Sequence, residues 1–146
     1  MENDFIQEAL KEARRSLLLH EVPVGAVIVK DNEIIARSHN LRETLQDSTA
    51  HAEILAIKEA CNVLGSWRLN GCDMYVTLEP CPMCAGAILQ SRISKVYIGM
   101  FDPSVGACGS IVNLIQNDAL NHWAEINWIY NEECGNLLTD FFRDKR

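Results

Sequence analysis

The sequence predicts one α/β domain built on a mixed sheet with helices on both faces. Three observations carry that expectation. Strand-sized apolar runs alternate with stretches of helical period in the order strand, strand, helix, strand, helix, strand. The chain has 146 residues, which suits a single domain over 1–146 that buries about two thirds of its unfolded surface. Hydrophobic residues make up 48% and charged residues 23%, which excludes a disordered chain or a disulfide-stapled mini-protein without a core.

Glu2 to Leu19 reads as an amphipathic helix, with Phe5, Ile6, Ala9, Leu10, Ala13 and Leu17 at helical spacing and Asp4 with Gln7 as its capping pair. Val24 to Val29 and Ile34 to Ser38 flank the polar turn Lys30-Asp31-Asn32-Glu33 and make an antiparallel hairpin. A second helix is expected from near Ala50 to Leu64, after the cap candidates Asp47, Ser48 and Thr49, and Gly65 stops it. Met74 to Leu78 is a strand, Pro80 to Ser91 a helix, and Lys95 to Gly99 and Ala124 to Ile129 are two more strands. A short helix is expected near Ser110 to Gln116. A terminal helix follows from Glu132 to about Arg143, with Cys134, Leu137, Leu138, Phe141 and Phe142 on one stripe. No repeat, low-complexity segment or linker interrupts the order.

Thirteen Lys and Arg against 20 Asp and Glu give a net charge of −7, which argues against a general nucleic-acid coat protein but leaves room for a local basic patch. Arg143, Lys145 and Arg146 close the chain, and Lys11, Arg14 and Arg15 lie in the first helix. No apolar run approaches the ~18 residues of a membrane span. The opening Met-Glu-Asn-Asp is acidic where a secretory signal is basic, so a cytoplasmic protein is expected. Of six cysteines only Cys81 and Cys84 are close together, a poor basis for a disulfide framework.

Two motifs carry chemistry: His51-Ala52-Glu53 at the start of the second helix and Pro80-Cys81-Pro82-Met83-Cys84 at the start of the third. Cys81 is expected as the cap and Pro82 as the first helical residue, where a missing N–H costs nothing. Cys84 then sits one turn in, near enough to Cys81 for both sulfurs to reach one metal, and the helix N-terminus favours thiolates. Three ligands of mixed Cys and His type suit zinc with a position left for water, and a neighbouring carboxylate, Glu53, suits proton transfer to and from that water. Glu53 follows His51 too closely to share a face of an ideal helix, so the metal is expected off the helix end. The bland alternative is a thioredoxin-type redox pair at Cys81 and Cys84, which has no use for His51-Ala52-Glu53.

His-x-Glu followed by Pro-Cys-x-x-Cys is the signature of the zinc-dependent nucleobase and nucleoside deaminases. The stretches Glu21 to Ala26, Ala50 to Glu53, Tyr75 to Cys81 and Met83 to Ala87 closely resemble the bacterial tRNA-specific adenosine deaminases. So do Gly109-Ser110, Asn121-His122 and Asp140 to Arg143, and the resemblance runs from about Ala9 to Arg143. It implies a three-layer α/β/α cytidine-deaminase-like fold with a central mixed five-stranded sheet. It also implies a homodimer that binds one Zn2+ per subunit and converts adenosine to inosine at the wobble position of a tRNA anticodon. Carried over by position, His51, Cys81 and Cys84 bind zinc and Glu53 shuttles protons. Asn40 hydrogen-bonds the target nucleoside, Asp102 lies near the ribose, and Phe142 and Arg143 meet the anticodon stem-loop.

The chain departs from the family's commoner pattern at Pro82, Met100, Phe101 and Trp123. Two rival functions use the same motifs. One is deamination of a free base such as guanine or cytosine. The other is a non-catalytic zinc-stabilised subunit that binds RNA or a partner; such subunits typically lose the carboxylate, and Glu53 is present.

Overall fold

The computed structural model describes residues 2–145, and of Glu2 the backbone alone. Arg146, counted above among the closing basic residues, lies outside the described residues. The elements run α1 (Glu2–Leu18), β1 (Gly25–Lys30), β2 (Glu33–His39), α2 (Arg42–Leu45), α3 (Ala52–Leu64), β3 (Asp73–Val76), α4 (Pro82–Gln90), β4 (Lys95–Ile98), β5 (Glu125–Trp128) and α5 (Glu132–Asp144). Five strands form one sheet in the order β2-β1-β3-β4-β5. β1 pairs antiparallel with β2 and β3, whereas β3–β4 and β4–β5 are parallel. The sheet is therefore mixed, as expected.

Strand side chains alternate between two cores, which is why the central strands read as continuous apolar runs. On one face Ala26, Ile28, Met74, Val76, Val96 and Ile98 pack against the α3 and α4 residues Ala56, Ala60, Ala85 and Ile88. On the other, Val27, Val29, Tyr75 and Tyr97 meet Ile6, Ala9 and Leu10 of α1 and Cys134 of α5. Tyr75 and Tyr97, in register on neighbouring strands, stack with ring centroids 4.3 Å apart. Three layers result, α/β/α. The close approach of α1 depends on Gly25: a Cβ there would strike the Ala9 carbonyl oxygen and come 2.5 Å from the Ala13 nitrogen.

Several local expectations need correction. α1 begins at Glu2, so Asp4 lies inside the helix and does not cap it with Gln7. His51, rather than Asp47, Ser48 or Thr49, is the N-cap of α3, and it makes no side-chain cap. The Asp47 carboxylate instead accepts from the backbone N–H of Thr49 at 2.8 Å and its hydroxyl at 2.7 Å. Cys81 caps α4 with Pro82 at its start, and Gly65 ends α3 in the left-handed region, both as expected.

The helix expected near Ser110 to Gln116 does not form; turns and an isolated bridge between Cys108 and Asn113 replace it. Its backbone is spent elsewhere. The Ser110 N–H donates to the Glu79 carboxylate, and those of Ile111 and Val112 turn back to the Gly106 carbonyl. The long connection from β4 to β5 thus makes its parallel crossover with no helix among the described residues. α5 keeps the expected stripe only in part, for Cys134 is buried while Phe142 is half exposed.

Candidate active site

The site is assembled where α3 and α4 begin. His51 and Cys81 are both N-cap residues with extended backbones, so each side chain projects off a helix end, and Cys84 sits in the first turn of α4. His51 Nδ1 lies 3.7 Å from Cys81 Sγ and 3.5 Å from Cys84 Sγ. All three candidate ligand atoms lie within 4.8 Å of one another, the one such His/Cys/carboxylate group among the described residues. A tetrahedral zinc held by nitrogen at ~2.0 Å and sulfur at ~2.3 Å places those two atoms about 3.5 Å apart. The residues fit the ion.

Electrostatics agree with the geometry. The Cys81 thiol is pulled down to about 4, first by a hydrogen bond from Cys84, against the cost of burial, and then by His51. Cys84 is pushed up by its hydrogen bond to Cys81 and by burial, and the His51 imidazole is raised by its bond to Cys81. Two thiolates side by side require a cation between them, which is the demand a zinc site meets. Glu53, on the first turn of α3, is 4% exposed. Burial pushes its carboxyl up to about 7, with the Cys81 thiolate adding to the rise and its own backbone N–H, His51 and the Cys84 thiol opposing it. That rise belongs to the metal-free site, and a dication held by the cluster would lower it; the carboxyl stands where it can take a proton from water and return it.

A cavity of about 120 Å³ opens beside these groups, walled by Val24, Asn40, His51, Glu53, Asp102 and Val105. An outer groove of about 570 Å³ shares Val22, Arg42, Leu78, Asp102 and Val105 with it and adds the half-exposed rings of Phe101 and Phe142. Another cavity, about 550 Å³, sits at the opposite end of β3 among Phe5, Asp31, Asp73 and Tyr97 and contains none of the chemistry-bearing residues.

Of the residues singled out in the sequence, His51, Glu53, Cys81 and Cys84 converge, and Asn40 and Asp102 line the same cavity. Asn40 is buried at its edge; its Nδ2 donates to the Val22 carbonyl at 3.3 Å and its Oδ1 accepts from Arg42 N–H at 3.1 Å. The Asp102 carboxylate accepts from the backbone N–H of Ser104 at 2.9 Å and its hydroxyl at 2.7 Å. Phe142 joins the outer groove, but Arg143 turns to Asp140 at 3.1 Å and Asp144 at 3.8 Å on its own helix. The basic residues of α1 form no face around the site, for Lys11, Arg14 and Arg15 pair with Glu8, Glu133 and Glu12. Arg42, which the sequence did not single out, lines both the cavity and the outer groove and makes no ion pair among the described residues. Lys145, one of the closing basic residues, joins Arg42, Phe141 and Phe142 in a neighbouring groove of about 390 Å³. The signal for Arg42 was its place two residues after Asn40.

Comparison with known proteins agrees with this chemistry. Residues 1–100 match the family model of the cytidine and deoxycytidylate deaminase zinc-binding region. The chain is 55% identical over 143 residues to the tRNA-specific adenosine deaminase of Bacillus subtilis, covering 97% of this chain and 89% of that one. A solved structure from studies of A-to-I editing by tRNA:A34 deaminases at the wobble position of transfer RNA matches with a TM-score of 0.90 and 44% identity, over 93% of this chain and 99% of that one. The guanine deaminase of Bacillus subtilis matches less far, with a TM-score of 0.65 and 42% identity over 68% of this chain and 64% of that one. The chain belongs to the cytidine and deoxycytidylate deaminase zinc-binding family, among the tRNA-specific adenosine deaminases.

Proposed function

We propose that this chain, as one deaminase domain over 1–146, converts adenosine to inosine at the wobble position of tRNA anticodons. The observation that carries the reading is the shared wall of the two cavities. A small cavity against Glu53 and the His51–Cys81–Cys84 cluster adjoins a groove with exposed Phe101 and Phe142. A single-stranded loop can place one base in the first while its neighbours stack on aromatic rings in the second.

His51, Cys81 and Cys84 would hold one zinc ion per subunit. The ion supplies Lewis acidity, which makes water a nucleophile near neutral pH. Glu53 accepts a proton from the water that adds to the purine carbon bearing the amine, and hands it to the adjacent ring nitrogen. A second transfer from Glu53 accompanies the departure of ammonia, so adenosine and water become inosine and ammonia. Asn40 has one amide hydrogen and one lone pair left for the nucleoside, and Asp102 stands where a ribose would lie. Phe142 stacks on a flanking base, and Arg143 lends charge to the stem-loop side.

A homodimer suits the exposed apolar side chains Val63 and Met83 of α3 and α4 and Ile111, Val112 and Trp123 of the long connection. Cytoplasmic residence suits six free cysteines, and among the described residues no helix is long and apolar enough to cross a membrane. The test is incubation of the zinc-loaded protein with an anticodon stem-loop carrying a wobble adenosine, with inosine and ammonia as readouts. Sedimentation of the same sample gives the subunit number. The likeness to a guanine deaminase supports a second reading, and release of ammonia from guanine but not from the stem-loop would select it.

A further inference from the structure

We propose that Glu79 is a positioning residue for the substrate: its buried carboxylate clamps the 102–110 loop, and with it Asp102 and Val105, against the cavity beside His51, Cys81 and Cys84. The inference rests on the reading of that cavity as the substrate pocket. Glu79 is 2% exposed and makes no ion pair among the described residues. A carboxylate withdrawn from water in this way demands hydrogen-bond donors, about four for its two oxygens. It finds four, and one loop provides them all. Oε1 accepts from Asp102 N–H at 2.9 Å and from the Ser110 hydroxyl, and Oε2 accepts from Cys108 N–H at 2.9 Å and Ser110 N–H at 3.1 Å.

The clamp is anchored on the metal-binding side. Glu79 is fixed by its own N–H donating to the Met100 carbonyl at 2.8 Å, and two residues later the chain presents Cys81. The two walls of the cavity, one bearing Cys81 and the other Asp102 and Val105, therefore meet at one carboxylate. Gly106 makes the approach possible, since a Cβ there would collide with the Glu79 carboxyl carbon and Oε1. The loop belongs to the helix-free connection between β4 and β5, so no regular element holds it at the cavity. A carboxylate solely needed for packing would be outperformed by an apolar side chain. Here its charge is matched to the backbone of the segment that walls the pocket.

Loosening this clamp moves the substrate wall and leaves His51, Cys81 and Cys84 in place. In Glu79→Gln an amide N–H group faces loop N–H groups, and in Ser110→Ala one donor is lost. The experiment measures KM and kcat on the stem-loop, zinc content, and amide hydrogen exchange for both variants and for the double variant. Glu79→Gln is expected to raise KM about tenfold, and Ser110→Ala a few-fold, the range for unmade hydrogen bonds to a charged group. Zinc stays bound, kcat changes less than KM, and exchange accelerates over 102–110 but not over α3. Because both residues act through one clamp, the double variant resembles Glu79→Gln alone.

Additive effects in the cycle, or a loss of zinc and kcat at unchanged KM, would overturn the proposal. Should Glu79→Gln not fold, unchanged exchange over 102–110 in Ser110→Ala overturns it by itself. A wild-type protein inactive on the stem-loop would refute the substrate reading instead, and the exchange data would still decide whether the clamp exists.

Discussion

His51 Nδ1 lies 3.5 Å from Cys84 Sγ, although 33 residues separate them in the chain. Their meeting is a product of the fold: α3 and α4 lie on the same face of the sheet and begin at the same end. Replacing Cys84, which is fully buried, with alanine leaves two ligands, and two rarely hold zinc. The expected result for Cys84→Ala is loss of zinc from purified protein together with a lower Tm. Full metal occupancy, measured by elemental analysis, would remove Cys84 from the ligand set.

Glu53 is expected to be separable from metal binding. Glu53→Gln keeps the shape of the side chain but cannot take a proton from water. Turnover of the stem-loop should fall by at least ~100-fold, the low end for a general acid–base residue, while zinc content and stem-loop affinity hold. Near-normal turnover would exclude Glu53 from proton transfer.

The same variant carries a pH signature in zinc-stripped protein. Glu53 is raised by burial from the usual 4.5 to about 7, so the folded state holds its proton more tightly than the unfolded chain does. Its stabilising contribution is complete below the unfolded value and is lost as pH rises through about 7. Chelated wild-type protein should therefore lose more Tm between pH 5 and pH 8 than chelated Glu53→Gln. Parallel Tm curves for the two proteins would show that Glu53 is not buried in this way.

Gly25→Ala tests the packing of α1 independently of the site. The added methyl group meets the Ala9 carbonyl oxygen and the Ala13 nitrogen, both backbone atoms that cannot swing aside. The expected cost is about 1–3 kcal/mol, the range for overpacking a close contact, read as a lower urea midpoint at unchanged zinc content. A midpoint equal to wild type would mean that α1 can lift from the sheet without penalty.

Local physics made much of the site readable in advance. A cap at Cys81, proline at the first helical position and Cys84 one turn on need no tertiary information, and the motif therefore appears in the structure as in the sequence. Strands buried on both faces betray themselves as apolar runs, hence β1, β3 and β4. What stayed hidden depends on distant partners. Ser110 lies 31 residues from the Glu79 carboxylate that draws its segment away from a helix. The short α2 turn is capped by Glu21, whose carboxylate accepts from the N–H groups of Glu43 and Thr44, 22 and 23 residues away. Pairing likewise decided which basic residues face the grooves: Arg14 is claimed by Glu133 of the neighbouring α5, 119 residues away in the chain, whereas Arg42 and Lys145 are left to line them.

That distribution of charge gives the last prediction. A chain of net charge −7 repels RNA at long range, so its affinity must come from contacts near the pocket. Arg42 and Lys145 both border the groove of about 390 Å³ that Phe141 and Phe142 also line, beside the outer groove, and neither forms an ion pair among the described residues. Arg42→Ala and Lys145→Ala are each expected to weaken stem-loop binding and to flatten its salt dependence by about one phosphate's worth. Arg14→Ala, which breaks a pair with Glu133 of α5 and removes no residue that lines the cavity or its grooves, should leave the slope as it was. Free adenosine, guanine and cytosine offer neither phosphates nor neighbouring bases, so their turnover should be poor and insensitive to salt. A salt slope untouched by both groove variants would place the RNA on another surface, and efficient turnover of a free base would show that the groove is not needed.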